Sequence, residues 1–165
     1  MGMKKILLLL MSVVLIGCGD KYVMVRKALD AVNATTPASS WDGQHLEAVQ
    51  LIEEDNLVEF YIKDVGGRIP SNDEIDNGEL VKGGTWFIAN FMTAYDNSVK
   101  GEDGEGDCNM FKQVGPLLKL LVGNKMGVRF KFDFRDGGSF LFDMSPNDVA
   151  KAVKLRKKTF YEKYE

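Results

Sequence analysis

The chain has 165 residues, of which 45% are hydrophobic and 27% are charged, and its formal net charge is −3. These proportions are ordinary for a globular protein, and they exclude collagen, a low-complexity chain and wholesale disorder. The length suits one domain rather than two. An acidic chain lacks the basic surface of most nucleic-acid-binding proteins, so we expect no nucleic-acid partner. With one His and two Cys in the chain, most kinds of zinc site are excluded as well.

The N-terminal segment has the pattern of a secretory signal. Lys4 and Lys5 precede an apolar stretch at residues 6–16 that one serine interrupts. A helix that spans a membrane needs roughly 20 apolar residues, so this stretch is too short for that role and is typical of a signal peptide. We therefore predict a signal peptide at residues 1–17 and a single domain at residues 18–165.

The apolar stretch ends in Leu15-Ile16-Gly17-Cys18. This sequence resembles the lipobox of bacterial lipoproteins, which implies cleavage before Cys18 and attachment of several acyl chains, palmitate among them, at that residue. Two or more acyl chains anchor a protein stably, so the resemblance implies a domain held on the periplasmic side of a membrane. Gly19 follows the cysteine where inner-membrane lipoproteins have Asp, which favours the outer membrane. The alternative is an ordinary secretory signal that happens to end near a cysteine.

The cysteine count determines what can stabilise the domain. If Cys18 is acylated, Cys108 is the only other cysteine, and no intrachain disulfide can form. A chain of this size buries roughly 68–70% of its unfolded surface, which is enough for a fold that depends on its core alone. We interpret Cys108 as a buried or idle thiol.

In the first half of the domain, hydrophobic spacing predicts two helices and two strands. Residues 21–33 carry apolar side chains at helical spacing and predict a first helix. Residues 46–52 and 57–65 predict two strands, and the second alternates apolar with polar side chains. Residues 71–84 are polar and acidic, which indicates a loop, and residues 85–95 predict a helix.

In the second half, a helix is predicted at residues 110–122, where Pro116 indicates either the helix start or a kink. Residues 128–135 and 140–144 alternate apolar with mainly charged side chains on either side of a glycine turn and predict a hairpin with a phenylalanine-rich face. Ser145 is a typical helix cap before a last helix. The prediction is therefore an α+β single domain, with an antiparallel sheet of about four strands and helices packed on one face.

The functional candidates are few. Trp86, Asn90 and Thr93 lie outside the apolar stripe of their helix, and Trp is enriched in interface hot spots, so these residues are our candidate partner-binding residues. The alternative is that Trp86 folds over a neighbouring loop. His45 is the single histidine, which argues against a nucleophile–histidine–acid triad. The sequence contains no phosphate-binding or dinucleotide motif, so we predict no catalytic residues, no enzyme activity and no cofactor.

Alternating acids at Asp103, Glu105 and Asp107 resemble the start of an EF-hand calcium loop. The glycine and the closing glutamate of that loop are absent, so we predict no metal site and keep these three residues as weak candidates. The alternative function is therefore a ligand- or Ca²⁺-binding lipoprotein that uses the acidic loops at residues 71–79 and 102–109.

The order of lipobox, helix, proline-containing loop, hairpin, two helices and glycine-led hairpin resembles one class of type II secretion pilotins. The residues that carry the resemblance are Asn33–Pro37, the Cys108 segment, and Met126–Asp133 with its turn at Gly137. It implies a fold of helices on a sheet, and a protein that holds a short helix of a secretin and escorts it to the outer membrane. Our leading hypothesis is a non-enzymatic, lipid-anchored envelope protein that binds or escorts another envelope protein.

Overall fold

The computed structural model describes residues 20–39, 45–66, 77–100 and 108–155. The predicted signal peptide and Cys18 lie outside these ranges. Within them the elements follow in the order α1 (Val23–Asn33), β1 (Ala38–Ser39), β2 (His45–Ile52), β3 (Leu57–Val65), α2 (Asn77–Lys100), α3 (Cys108–Gly123), β4 (Gly127–Phe134), β5 (Ser139–Met144) and α4 (Pro146–Lys154). The α+β fold class and the single domain are confirmed.

The strands form one sheet in the order β1-β2-β3-β4-β5, in which β1 has only two residues. Neighbouring strands run antiparallel except β3 and β4, which are parallel. The sheet is therefore mixed, and the expectation of a purely antiparallel sheet is wrong. The physical reason is the connection between β3 and β4: it contains both α2 and α3, and a crossover of that length can return the chain to start a parallel strand.

The register of the sheet separates an apolar face from a polar face. Phe60 of β3 lies beside Phe130 of β4, which lies beside Phe142 of β5, so one row of rings crosses three strands. The next residues along each strand point to the opposite face, where Glu59 lies beside Arg129. The helices pack on the face that carries the phenylalanine row, because only that face is apolar enough to need cover.

Helix α2 is the central helix of this layer. It packs against α3, α4 and the sheet, while α1 lies against α3 and β2. Six consecutive residues of α2, 88–93, are each at most 4% exposed. A helix with a single buried face would expose some of these positions, so α2 is enclosed on all sides along this segment.

Helix α2 begins at Asn77, although a loop was predicted for residues 71–84. Gly84 explains part of this difference: its Cα lies so close to Met144, Phe142 and Phe130 that a side chain there would meet them. The glycine lets the first turns of the helix lie directly on the sheet. Tertiary contact therefore stabilises a helical segment that its polar, glycine-containing composition does not favour.

Helix α3 runs without interruption past Pro116, so the helix does not begin at that residue. It ends at Gly123, one residue beyond the predicted end at residue 122. There the N–H of Lys125 donates to the Val122 carbonyl at 3.2 Å, and the N–H of Met126 donates to the Leu121 carbonyl at 2.9 Å. This is the pair of bonds that closes a Schellman motif, although its left-handed residue is Lys125, with φ 52°, and not a glycine.

Helix α4 has the predicted cap. The Ser145 hydroxyl accepts a hydrogen bond from the Asp148 N–H at 3.3 Å, and Pro146 occupies the first helical turn. Residues 156–165, which follow this helix in the chain, lie outside the described residues. Across the described ranges, no helix combines the length and the apolar character that crossing a bilayer requires.

Candidate functional site

A group of partly exposed aromatic rings lies where α2 meets the β4–β5 hairpin. The Trp86 ring stands edge-on to Phe87, with ring centroids 5.4 Å apart and planes at 82°. Phe87 lies 6.0 Å from Phe132, which lies 6.1 Å from Phe142, and Phe140 lies 6.3 Å from Phe142. We call Trp86, Phe87, Phe132, Phe140 and Phe142 the aromatic surface. Each of these side chains is partly exposed.

The aromatic surface is the outer margin of the aromatic core. Phe87 lies 5.8 Å from the fully buried Phe130, which in turn lies 5.8 Å from Phe60. Phe91 continues the stack at 6.4 Å from Phe60. Because buried rings lie beneath the partly exposed ones, we expect this packing to restrict the motion of the aromatic surface. Rigid aromatic side chains lose little conformational entropy on binding, which is why they are effective interface anchors.

The structure does not bring Asn90 and Thr93 to the surface beside Trp86. Asn90 is 0% exposed and Thr93 is 4% exposed. The Asn90 side-chain amide donates to the Trp86 carbonyl at 2.9 Å, and the Thr93 hydroxyl donates to the Ala89 carbonyl at 2.9 Å. The expectation that both residues lie on an exposed face of the helix does not hold, because α3 and α4 enclose α2.

Asn90 nevertheless has an unusual environment. Its Oδ1 atom is the one buried side-chain polar atom in the described ranges that has no hydrogen-bond partner. A buried acceptor without a partner costs free energy, because its bonds to water are lost and not replaced. We interpret Asn90 as a point of local destabilisation inside the helical layer, distinct from the aromatic surface.

The polar face of the sheet is centred on Tyr61. The Tyr61 hydroxyl donates to the Asp133 carboxylate, and this hydrogen bond raises the pKa of Tyr61. Lys131 and Lys63 place their ammonium groups 4.6 Å and 5.3 Å from the centroid of the Tyr61 ring. Glu47, 3.1 Å from Lys63, raises the pKa of that lysine by accepting its hydrogen bond.

Arg129 links three parts of the same face. Its Nε and Nη2 atoms donate to the two oxygens of Asp143 at 2.7 and 2.8 Å, and Nη2 also contacts Asp55 at 3.3 Å. The hydrogen bonds to Asp143 raise the pKa of Arg129. Beside it, the buried Glu59 accepts from the Gln50 side chain at 2.8 Å. These charges satisfy one another across strands, so we interpret the polar face as stabilising.

The other predicted candidates fall into two groups. His45 begins β2, where its Nε2 atom lies 2.7 Å from Asp64 Oδ2 and both side chains are partly exposed, as expected of a surface histidine. Asp103, Glu105 and Asp107, with residues 71–76 of the other acidic loop, lie outside the described residues. In the described ranges, no three His, Cys, Asp or Glu side chains are grouped so that they could hold a metal ion.

The sequence did not single out Phe87, Phe132, Phe140 and Phe142 as surface residues, because their spacing assigned them to the core. A signal was nevertheless present. The hairpin places more phenylalanines on one face than a few short helices can fully cover, and Trp86 precedes Phe87 directly. Only the structure shows that these rings remain partly exposed.

No protein-family model, no curated protein and no solved structure gives a significant match to the chain. The function is therefore argued from the residues of this chain and from their geometry.

Proposed function

We propose that this protein is a non-enzymatic, lipid-anchored envelope protein, acylated at Cys18, that binds or escorts another envelope protein as a pilotin-like assembly factor. The observation that carries the proposal is the aromatic surface, a group of partly exposed rings that includes Trp86. The similarity of Leu15–Cys18 to a lipobox supports the anchor. The proposed location is the periplasmic side of the outer membrane.

The aromatic surface suits an apolar helix or strand of the partner. Trp86 and Phe87 come from a helix and the other three rings from a hairpin, so the rings border a junction between two elements. Helical segments commonly bind such junctions through a few apolar anchors. A membrane anchor adds to affinity, because two proteins confined near one bilayer meet at a higher effective concentration.

The test of the binding surface is capture of the partner from detergent-solubilised membranes. We expect Trp86→Ala to reduce recovery of the co-purified envelope protein by about tenfold or more, as for an interface hot spot. Leu141→Ala is the matched control, since Leu141 is 55% exposed but lies on the opposite face of the sheet. Quantitative mass spectrometry measures recovery, and circular dichroism verifies that both variants fold. If the wild type and Trp86→Ala recover equal amounts of the partner, the aromatic surface is not the binding site.

The test of the anchor is the intact mass of the mature protein. We expect residues 1–17 to be absent and Cys18 to carry fatty acids, and we expect Cys18→Ser to abolish both the lipid mass and membrane retention. A mature chain with an unmodified Cys18, or one that retains residues 1–17, contradicts the proposed anchoring.

A further inference from the structure

The first turn of α1 exposes two adjacent apolar side chains. Val23 is 44% exposed and Met24 is 57% exposed. The buried face of the same helix already supplies Val25, Leu29 and Val32 to the core. Val23 and Met24 are therefore not needed to hold α1 on the domain, and their exposure leaves apolar area in contact with solvent.

The start of α1 is firmly attached to one end of the sheet. The Asn56 side chain accepts from Lys21 Nζ at 2.9 Å and from the Tyr22 hydroxyl at 3.3 Å, and it donates to the Lys125 carbonyl at 3.0 Å. Asn56 thus joins α1, the β2–β3 turn and the α3–β4 connection. We call residues 20–26, 53–56 and 124–125 the anchor end of the molecule.

Covalent geometry brings Cys18 close to this end. Two peptide units separate Cys18 from Asp20, and each spans 3.8 Å between Cα atoms, so Cys18 lies within about 8 Å of Asp20. The Val23 N–H donates to the Asp20 carbonyl at 3.0 Å, so Val23 and the adjacent Met24 lie close to Asp20 as well. The chain between the proposed lipid attachment and the domain is too short to act as a spacer.

The acidic groups of the anchor end are largely paired. Arg26 forms ion pairs with both Asp20 and Glu53, and Asp55 contacts Arg129. Pairing lessens the repulsion that these carboxylates would otherwise exert on lipid phosphates. The anchor end carries three basic and four acidic side chains, a net charge of −1, so contact with lipid would depend on apolar side chains rather than on attraction to anionic head groups.

We propose that the anchor end lies against the lipid bilayer, with Val23 and Met24 in its interfacial region. This inference rests on the proposed acylation of Cys18. It also sets the height of the aromatic surface, because β4 runs away from the anchor end, starting at Gly127, whose N–H donates to the Asn56 carbonyl at 3.1 Å. Phe132 is five residues further, or about 17 Å along the strand, so the aromatic surface lies away from the anchor end.

Site-specific fluorescence in vesicles tests the orientation. Acylated protein carrying Cys108→Ser and either Met24→Cys or Asp136→Cys is labelled with an environment-sensitive dye and reconstituted in phosphatidylcholine vesicles. Asp136 is the control, because it is exposed in the β4–β5 turn at the far end of β4. We expect a lipid-borne quencher to quench the label at residue 24 at least about twofold more strongly than the label at residue 136. Equal quenching at the two positions overturns the inference.

Two further measurements distinguish a failure of the proposed function from a failure of the proposed orientation. The intact mass of the same sample reports acylation: an unmodified Cys18 defeats the proposed function, whereas an acylated protein whose residue 24 is not quenched defeats only the orientation. Vesicles with added phosphatidylglycerol test the nature of the contact. We expect unchanged quenching at residue 24, and quenching that requires the anionic lipid contradicts an apolar contact.

Discussion

At the scale of single residues, Tyr61 shows how the polar face of the sheet is held together. Its ring lies between two lysine ammonium groups and its hydroxyl donates to Asp133. The hydrogen bond joins β3 to β4, the parallel pair at the middle of the sheet. Because an ionised phenol cannot donate this bond, the contact is sensitive to pH.

Removing the Asp133 charge should lower the pKa of Tyr61 towards its ordinary value of 10.0. A folded-state pKa above the unfolded value means that the bond stabilises the fold at pH values below the unfolded pKa, and that this stability is lost as pH rises through the folded pKa. We therefore expect Asp133→Asn to shift one phenolate transition to lower pH in an ultraviolet titration. Tyr61→Phe identifies that transition by removing it. If the titration curves of Asp133→Asn and the wild type superimpose, the hydrogen bond to Asp133 is not what raises the pKa of Tyr61.

The buried Oδ1 atom of Asn90, which lacks a hydrogen-bond partner, leads to a prediction about stability. Leucine has a shape close to that of asparagine and carries no polar atom, so Asn90→Leu removes a buried acceptor that lacks a partner. We expect the free energy of unfolding to rise by about 1 kcal/mol, measured by urea denaturation. Asn90→Asp, which buries a charge instead, should lower it. Destabilisation by Asn90→Leu would show that the amide makes a contact the fold needs.

At the scale of elements, glycines determine how closely the helices approach one another. A side chain at Gly115 of α3 would overlap the Tyr95 ring of α2. The ring therefore packs directly against the backbone of α3 at this point. Lys119 lies one turn further, with its ammonium group 4.4 Å from the centroid of the same ring. The close approach of α2 and α3 at this point thus depends on Gly115.

Two glycine-to-alanine substitutions test this contact. Gly115→Ala forces the Tyr95 ring to move, and overpacking of this kind typically costs about 1–3 kcal/mol of unfolding free energy. Gly83→Ala is the matched control within a helix, because nothing lies within 4 Å of the added atom. There we expect stabilisation of about 0.5–1 kcal/mol, because alanine favours a helix over glycine. Thermal or urea unfolding measures the unfolding free energy of the two variants. Equal changes in that free energy would contradict the close packing at Gly115.

At the scale of the whole molecule, the enclosure of α2 predicts where the fold resists opening. Residues 88–93 lie between two helices and the sheet, so exposing them requires most of the domain to unfold. We expect their amides to exchange with deuterium most slowly, and those of the first turn of α1, where Val23 and Met24 are exposed, to exchange early. Hydrogen-exchange mass spectrometry measures this. Early exchange at residues 88–93 would mean that α2 is not the centre of the cooperative unit.

The proposed arrangement of the molecule also follows from the whole fold. The anchor end contains the start of α1, the β2–β3 turn and the end of α3, which are distant in the sequence and meet at Asn56. The aromatic surface lies further along β4. A tether at Cys18 would therefore hold one end at the bilayer and present the rings to a partner in the periplasm.

The sequence by itself determined the features that depend on neighbouring residues. Strand β3 has the predicted bounds, Leu57–Val65, because the alternation of apolar and polar side chains is a local signal of a strand. The β4–β5 hairpin and the Ser145 cap were likewise predictable, since a glycine turn and a capping hydroxyl act over a few residues. The fold class of helices on a sheet followed from these elements.

Only the tertiary structure decided how distant segments combine. The parallel pairing of β3 with β4 depends on where a long crossover returns, which no local pattern encodes. The burial of Asn90 and Thr93 depends on packing by elements distant in the sequence, since α2 contacts α3, α4 and the sheet. Amphipathic spacing describes one face of one helix, and a helix enclosed by several neighbours can also bury a polar residue such as Thr93, whose hydroxyl donates within the helix.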